Sequence, residues 1–269
     1  MLQAVGTEVA VSVTGHGFPL LCLHAIAHGG GDFDQLRHRL ADKSFRIVTL
    51  DWPGQGRSPS DAKGRPPDPA RYADIAAAVI EQLFEPDERP IVIGNSIGGA
   101  AAIILASRLP QRLRALVLCN PGGLAEPNFV LRSFCRLMAT FFRGGDRGAN
   151  WYPAAFSLYY RLVLPRRPAR AQRDRIVAAC RETAGVLAGA WAGFAGPESD
   201  LRPVLAVLQL PILFAWARND KIVSWGRSRK AVKASGAKVI KFPGGHSPFL
   251  ESPDCFAEAL QNFCQSLVA

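Results

Sequence analysis

The chain has 269 residues, 48% of them hydrophobic and 20% charged, which is long enough to bury one or two sizeable cores and too apolar for a disordered protein. Lysine and arginine (32) exceed aspartate and glutamate (22), giving a formal net charge of +10. The arginines are scattered and accompany no nucleic-acid-binding motif, so the surplus leaves an anionic substrate open and argues against nucleic acid as a partner.

Met1 to Glu8 lacks a basic segment followed by an apolar one, and no apolar run reaches the ~18 residues of a membrane span. The expected address is the cytoplasm, without a membrane span. Cys22, Cys119, Cys135, Cys180, Cys255 and Cys264 form no C-x-x-C pair and are expected to stay reduced, with neither disulfide nor metal. Self-association stays open.

In chain order, Glu8 to Thr14 alternates like an edge strand, and Pro19 to Leu23 is a continuous apolar run that reads as a buried strand ending at His24. Phe33 to Leu40 has helical spacing, Phe45 to Leu50 reads as a strand, and Tyr72 to Leu83 as an amphipathic helix. Residues 90 to 108 read as a strand and then a helix, and Leu113 to Cys119 as another strand. Such alternation predicts a doubly wound, mostly parallel α/β sheet with both faces covered.

From about Leu124 to Arg202 no strand is legible, and segments 129–142, 153–163 and 170–194 have helical spacing. This predicts a helical insertion over 124–203, dividing one core into 1–123 and 204–269, with Gly122-Gly123 and Gly196-Pro197 as hinges. The core resumes with a strand over Leu210 to Trp216, a helix near Trp225 to Ala234, a strand over Lys238 to Phe242 and a terminal helix from Ser252-Pro253.

The joint between strand and helix near residue 96 carries the chemistry. Gly94-Asn95-Ser96-Ile97-Gly98-Gly99 places a serine where a sharp turn needs almost no side chain two residues before and two after. Such a turn raises the Ser96 hydroxyl above the sheet and aims the first N–H groups of the next helix at whatever binds. A serine hydroxyl is a weak nucleophile at neutral pH and needs a histidine base oriented by a carboxylate. Both follow in order: Asp220 lies just beyond the strand ending at Trp216, and His246 beyond the strand ending at Phe242.

These segments, together with Asp51-Trp52-Pro53-Gly54-Gln55-Gly56-Arg57-Ser58, resemble the α/β-hydrolase family over nearly the whole chain. The resemblance implies a helical cap over the site, a Ser96, Asp220, His246 catalytic triad and no cofactor. An oxyanion hole then takes one N–H from Ile97, directly after the nucleophile. By position the second comes from Ile26. Family members carry His-Gly where this chain has His24-Ala25, and His28-Gly29-Gly30-Gly31 resembles a lipase donor motif four residues late, so a competing donor site remains. Asp51 suits a structural turn, and His24 is read as bonding core backbone, with His28 bordering the pocket.

Asn95, beside the nucleophile, is a candidate either for substrate contact or for stabilising the elbow, and Trp191 among the insertion's aromatic residues is a candidate for substrate contact. Asn120-Pro121-Gly122-Gly123-Leu124 resembles the narrower group of hydrolases that cleave carbon–carbon bonds in ring-fission products, and Arg181 stands where that group places a carboxylate-binding arginine. The first expectation is hydrolysis of a carboxylic ester with a small to medium acyl group through an acyl-enzyme. Carbon–carbon hydrolysis of a vinylogous keto acid is the enzymatic alternative, and a ligand-binding protein on the same fold is the non-catalytic one.

Overall fold

The computed structural model describes residues 1–267. The chain opens with a hairpin of β1 (Leu2–Ala4) and β2 (Thr7–Val9), turned by Val5 and Gly6, both at positive φ. Strand β3 (Val11–Thr14) follows. The single strand expected over Glu8 to Thr14 is thus two, for a local reason: Ala10 gives its N–H to Ser58 Oγ at 2.8 Å and its carbonyl to the Asp51 N–H at 2.9 Å. Both backbone groups of Ala10 are spent on a loop, and the ladder breaks there.

Next come β4 (Phe18–Leu23), α1 (Asp34–Leu40), β5 (Phe45–Leu50), α2 (Pro69–Leu83), β6 (Ile91–Asn95), α3 (Ile97–Arg108) and β7 (Ala115–Cys119). Helix α2 starts earlier than its apolar pattern, because Asp68 accepts hydrogen bonds from the N–H groups of Ala70 and Arg71 ahead of the first apolar turn. Four helices then replace strand alternation: α4 (Phe129–Asp146), α5 (Tyr152–Val163), α6 (Arg170–Ala178) and α7 (Ala184–Phe194). The helix expected over 170–194 is two, with α6 closing as Ala179 N–H turns back to Arg175 O. The remainder is α8 (Arg202–Ala206), β8 (Ile212–Ala217), α9 (Trp225–Ala234), β9 (Lys238–Phe242), α10 (Pro248–Glu251) and α11 (Pro253–Ser266).

The main sheet runs β3-β5-β4-β6-β7-β8-β9, with β3 antiparallel and every other neighbour parallel. Strand residues alternate between two cores. Leu20, Cys22, Ile91, Ile93 and Val117 face α1 and α11, while Leu21, Leu23, Val92, Leu116 and Phe214 face α2, α3 and α8. Burial on both faces is why these strands read as unbroken apolar runs.

The register aligns Leu23 with Gly94, Asn95 with Cys119 and Cys119 with Ala215, so the carboxyl ends of the central strands finish together. The loops carrying His24, Ser96, Asn120, Asp220 and His246 therefore leave the sheet along one edge, where an open α/β sheet places its ligands. No helix among the described residues is long and apolar enough to cross a membrane.

Candidate active site

Ser96 sits between β6 and α3 at φ 55° and ψ −116°, outside the regions open to ordinary residues at low cost. Strain of this kind costs about 1–3 kcal/mol and persists only where the surroundings enforce it. They do so here. Ser96 N–H donates to Cys119 O at 3.0 Å, and its carbonyl accepts from Ala100 and Gly122 N–H. A Cβ on Gly94 would lie 2.5 Å from Gly98 O, and one on Gly99 would lie 2.8 Å from Pro121 Cβ. The glycines are thus required by close backbone approach, not by flexibility.

Asp220 and His246 meet as expected, with His246 Nδ1 2.8 Å from Asp220 Oδ2. The same oxygen accepts from Asn120 Nδ2 at 2.5 Å, and Asp220 Oδ1 accepts from the N–H groups of Ile222 and Val223 at 2.7 and 3.0 Å. Asn120 is itself fixed by accepting from Ala217 N–H at 2.9 Å. Burial disfavours the His246 imidazolium, but the charge and hydrogen bond of Asp220, with Glu251 and Asp32 adding, outweigh it and hold the pKa above the ordinary histidine value. With Nδ1 committed to Asp220, Nε2 is the nitrogen left for chemistry. Ser96 and His246 line the same cavity.

The loop holding His246 is shaped by Glu251, which is fully buried. Its Oε2 accepts from Gly245 and His246 N–H at 2.6 and 3.0 Å, and its Oε1 from Arg166 N–H at 3.2 Å. Burial raises its pKa even against these donors. Asn95 ties the same loop to the elbow: Nδ2 donates to Cys119 O and His246 O at 2.9 and 3.0 Å, and Oδ1 accepts from Ser247 Oγ at 2.7 Å. With every polar atom engaged and no exposure, Asn95 does not reach the cavity, so its expected substrate contact becomes a structural one.

On the opposite wall, Ile26 lines the cavity, and neither its N–H nor that of Ile97 has a backbone partner among the described residues. Two N–H groups of the rival run are occupied, with Gly30 N–H donating to Asp51 Oδ1 at 2.6 Å and His28 N–H to Ala25 O at 3.3 Å. Ala25 is not at positive φ, so no glycine is needed there; the left-handed residue is Ala27, whose N–H donates to Gln55 Oε1 at 2.7 Å. His24 is structural, with Nδ1 donating to Ala25 O at 2.6 Å and Nε2 accepting from Trp52 N–H at 3.0 Å. Its burial lowers its pKa and keeps the ring neutral. Asp51 likewise holds a turn, accepting also from Arg57 N–H at 3.1 Å.

The cavity encloses about 340 Å³, within the range of small-molecule sites. Its walls are mostly apolar, drawn from the loop after β4 and from α4, α5 and α7, with Phe134, Tyr159, Tyr160, Trp191 and Phe194 the larger side chains. Trp191 therefore lies where expected. Arg181 does not: it follows the break after α6, is exposed, reaches Ala149 O at 3.4 Å and lines no part of the cavity. The cations that do line it, Lys221 and Arg227, come from the loop after β8 and from α9. Residues the sequence did not single out as functional are Asn120 as the partner of Asp220, Glu251 and Asp32. The i, i+4 spacing of His28 and Asp32 was the signal for the last.

Residues 20–259 match the alpha/beta hydrolase family. A pimeloyl-[acyl-carrier protein] methyl ester esterase of Stenotrophomonas maltophilia (strain K279a) is 31% identical over 268 residues, covering 96% of each chain. Among solved structures, an esterase from Exiguobacterium antarcticum superposes with a TM-score of 0.82 at 19% identity, covering 98% of each chain. The N-acyl homoserine lactonase AidH, complexed with N-hexanoyl homoserine, gives 0.78 at 25% identity, covering 99% of this chain and 95% of that one. The chain belongs to the alpha/beta hydrolase family.

Proposed function

We propose that the protein is a cofactor-free cytoplasmic serine hydrolase that cleaves a carboxylic ester of small to medium acyl group through an acyl-enzyme. One observation carries the reading: a strained Ser96 and an Asp220-anchored His246 line the same mostly apolar cavity. Ser96 Oγ attacks the ester carbonyl while His246 Nε2 takes its proton, and Asp220 holds the tautomer and stabilises the imidazolium. The N–H groups of Ile97 and Ile26 receive the oxyanion. His246 then protonates the departing alcohol, and water enters by the same route in reverse to release the acid.

Residues 124–203 act as a cap that supplies the acyl-binding wall. The relative named for methyl ester hydrolysis, alike over nearly the whole chain, supports the ester class. Carbon–carbon hydrolysis keeps the resemblance of Gly94–Ala100 and Asn120–Leu124 but loses its carboxylate-binding arginine, because Arg181 lies outside the cavity. Six free cysteines, five of them buried, support a reducing compartment.

A fluorophosphonate probe should label the wild-type chain on the peptide holding Ser96, with turnover of p-nitrophenyl butyrate. Ser96→Ala should lose both while keeping its circular dichroism spectrum, since alanine fits the same space. Residual turnover near the wild-type rate would remove Ser96 from the nucleophile role.

A further inference from the structure

The mechanism above leaves one pocket-facing histidine without a task. The His28 side chain is 1% exposed, and its Nδ1 lies 2.7 Å from Asp32 Oδ2. Asp32 is fully buried, and its other oxygen accepts from Gln172 Nε2 on α6 at 2.6 Å. A carboxylate accepting at both oxygens fixes a proton on His28 Nδ1, so in the neutral ring Nε2 presents a lone pair. Among the described residues that nitrogen takes no hydrogen bond.

His28 lines the cavity together with Tyr159 and Tyr160, and the Tyr160 ring centre is 5.8 Å from that of His28. Among the described residues neither phenol oxygen has a hydrogen-bond partner, and unlike the Tyr152 hydroxyl neither is a buried oxygen left without one. Burial raises both phenol pKa values, so both stay O–H donors. One wall of a mostly apolar cavity thus offers one acceptor and two donors. Leaving such groups dry and unpaired costs about 1–3 kcal/mol each.

A group that both donates and accepts satisfies this set, whereas an anion has no hydrogen to give to a lone pair on His28 Nε2. We propose that His28, oriented by Asp32 and Gln172 and faced by Tyr160, forms a subsite for an alcohol hydroxyl of the substrate, which is then a hydroxylated ester. The hydroxyl accepts from the Tyr160 O–H and donates to His28 Nε2. This rests on the ester reading and adds the substrate class to it.

The test compares matched esters in two series. One carries the hydroxyl on the acyl part, as the methyl esters of 3-, 4- and 5-hydroxyhexanoate against methyl hexanoate, followed by acid release. The other carries it on the alcohol part, as 2-hydroxyethyl against propyl hexanoate. The wild type should favour a hydroxylated ester over its partner by about tenfold in kcat/KM, the scale of one net hydrogen bond. The series in which that preference occurs locates the hydroxyl. His28→Leu should bring the ratio to near one, and Tyr160→Phe, which removes a single oxygen, should reduce it about threefold or more.

No wild-type preference in either series, or a ratio unchanged in both variants, would overturn the subsite. If His28→Leu does not fold, Tyr160→Phe decides alone. If no ester turns over, the ester reading falls, and calorimetry on Ser96→Ala with hexane-1,3-diol against hexan-1-ol decides the subsite: tighter diol binding upholds it and equal binding ends it.

Discussion

Asp220→Asn separates the role of charge from that of geometry. The carboxylate accepts four hydrogen bonds, two at each oxygen, and an amide has only one oxygen to offer. Turned one way, its nitrogen opposes the N–H groups of Ile222 and Val223. Turned the other way, it opposes Asn120 Nδ2 and His246 Nδ1 and forces the wrong tautomer. The first orientation forfeits two bonds and the second one, a stability loss of about 1–2 kcal/mol at about 1 kcal/mol per bond. Losing the charge also removes about 4 kcal/mol of imidazolium stabilisation at a ~4 Å charge separation, equivalent to about 10³ in rate. The tautomer loss extends the expected fall in kcat to about 10⁴.

The assay is p-nitrophenyl butyrate hydrolysis across pH. Because Asp220 holds the His246 pKa above its ordinary value of 6.5, the acid limb of kcat/KM should lie above that pH in the wild type. In the variant it should move down, since burial alone lowers the pKa. For stability the sign is that of a raised base: the contribution is full below 6.5 and fades as pH rises through the folded-state value. A kcat loss under about tenfold with an unshifted limb would mean that His246 is oriented by some other group, and the assignment of the acid would fall.

Other substitutions should divide catalysis from scaffold. Asp51→Asn should lower Tm, read by thermal melting, through weaker bonds to Gly30 and Arg57 N–H worth about 1–3 kcal/mol together, with kcat changed far less than in Asp220→Asn. Arg181→Ala should leave kcat/KM for neutral and carboxylate-bearing esters within about twofold, because the side chain lies outside the cavity. A selective loss for carboxylates would restore its binding role. Trp191→Ala should enlarge the cavity and shift the best acyl chain in a p-nitrophenyl ester series to a longer one, at a stability loss of about 2–4 kcal/mol.

Much of the scaffold was legible because its causes are local. Phe45 to Leu50 and Lys238 to Phe242 are strands at the expected bounds, and Gly94 and Gly98 mark the elbow by the space their neighbours leave. The partners of the site were harder to read because they are joined only by folding. Asn120 meets Asp220 across 100 positions and Gln172 meets Asp32 across 140. Arg181 matched by chain order, but the break between α6 and α7 carries it outward.

Asn95 closes β6 as a fully buried residue, and its two readings, substrate contact or support of the elbow, separate only once the histidine loop is folded against it.

The two asparagines also determine how the molecule loosens. Asn95 joins the elbow to the histidine loop, and Asn120 joins the acid loop to the end of β8, so three reactive segments are cross-braced through the interior of the sheet. The helical insertion has a different character, with Phe129, Leu137, Leu158 and Leu162 exposed on its outer surface. In native-state hydrogen exchange the reactive segments should open together and only with global unfolding, while the insertion exchanges through smaller excursions. Substrate admission can then proceed by breathing of the insertion, while the spacing of the reacting groups stays fixed by the same framework that keeps the sheet folded.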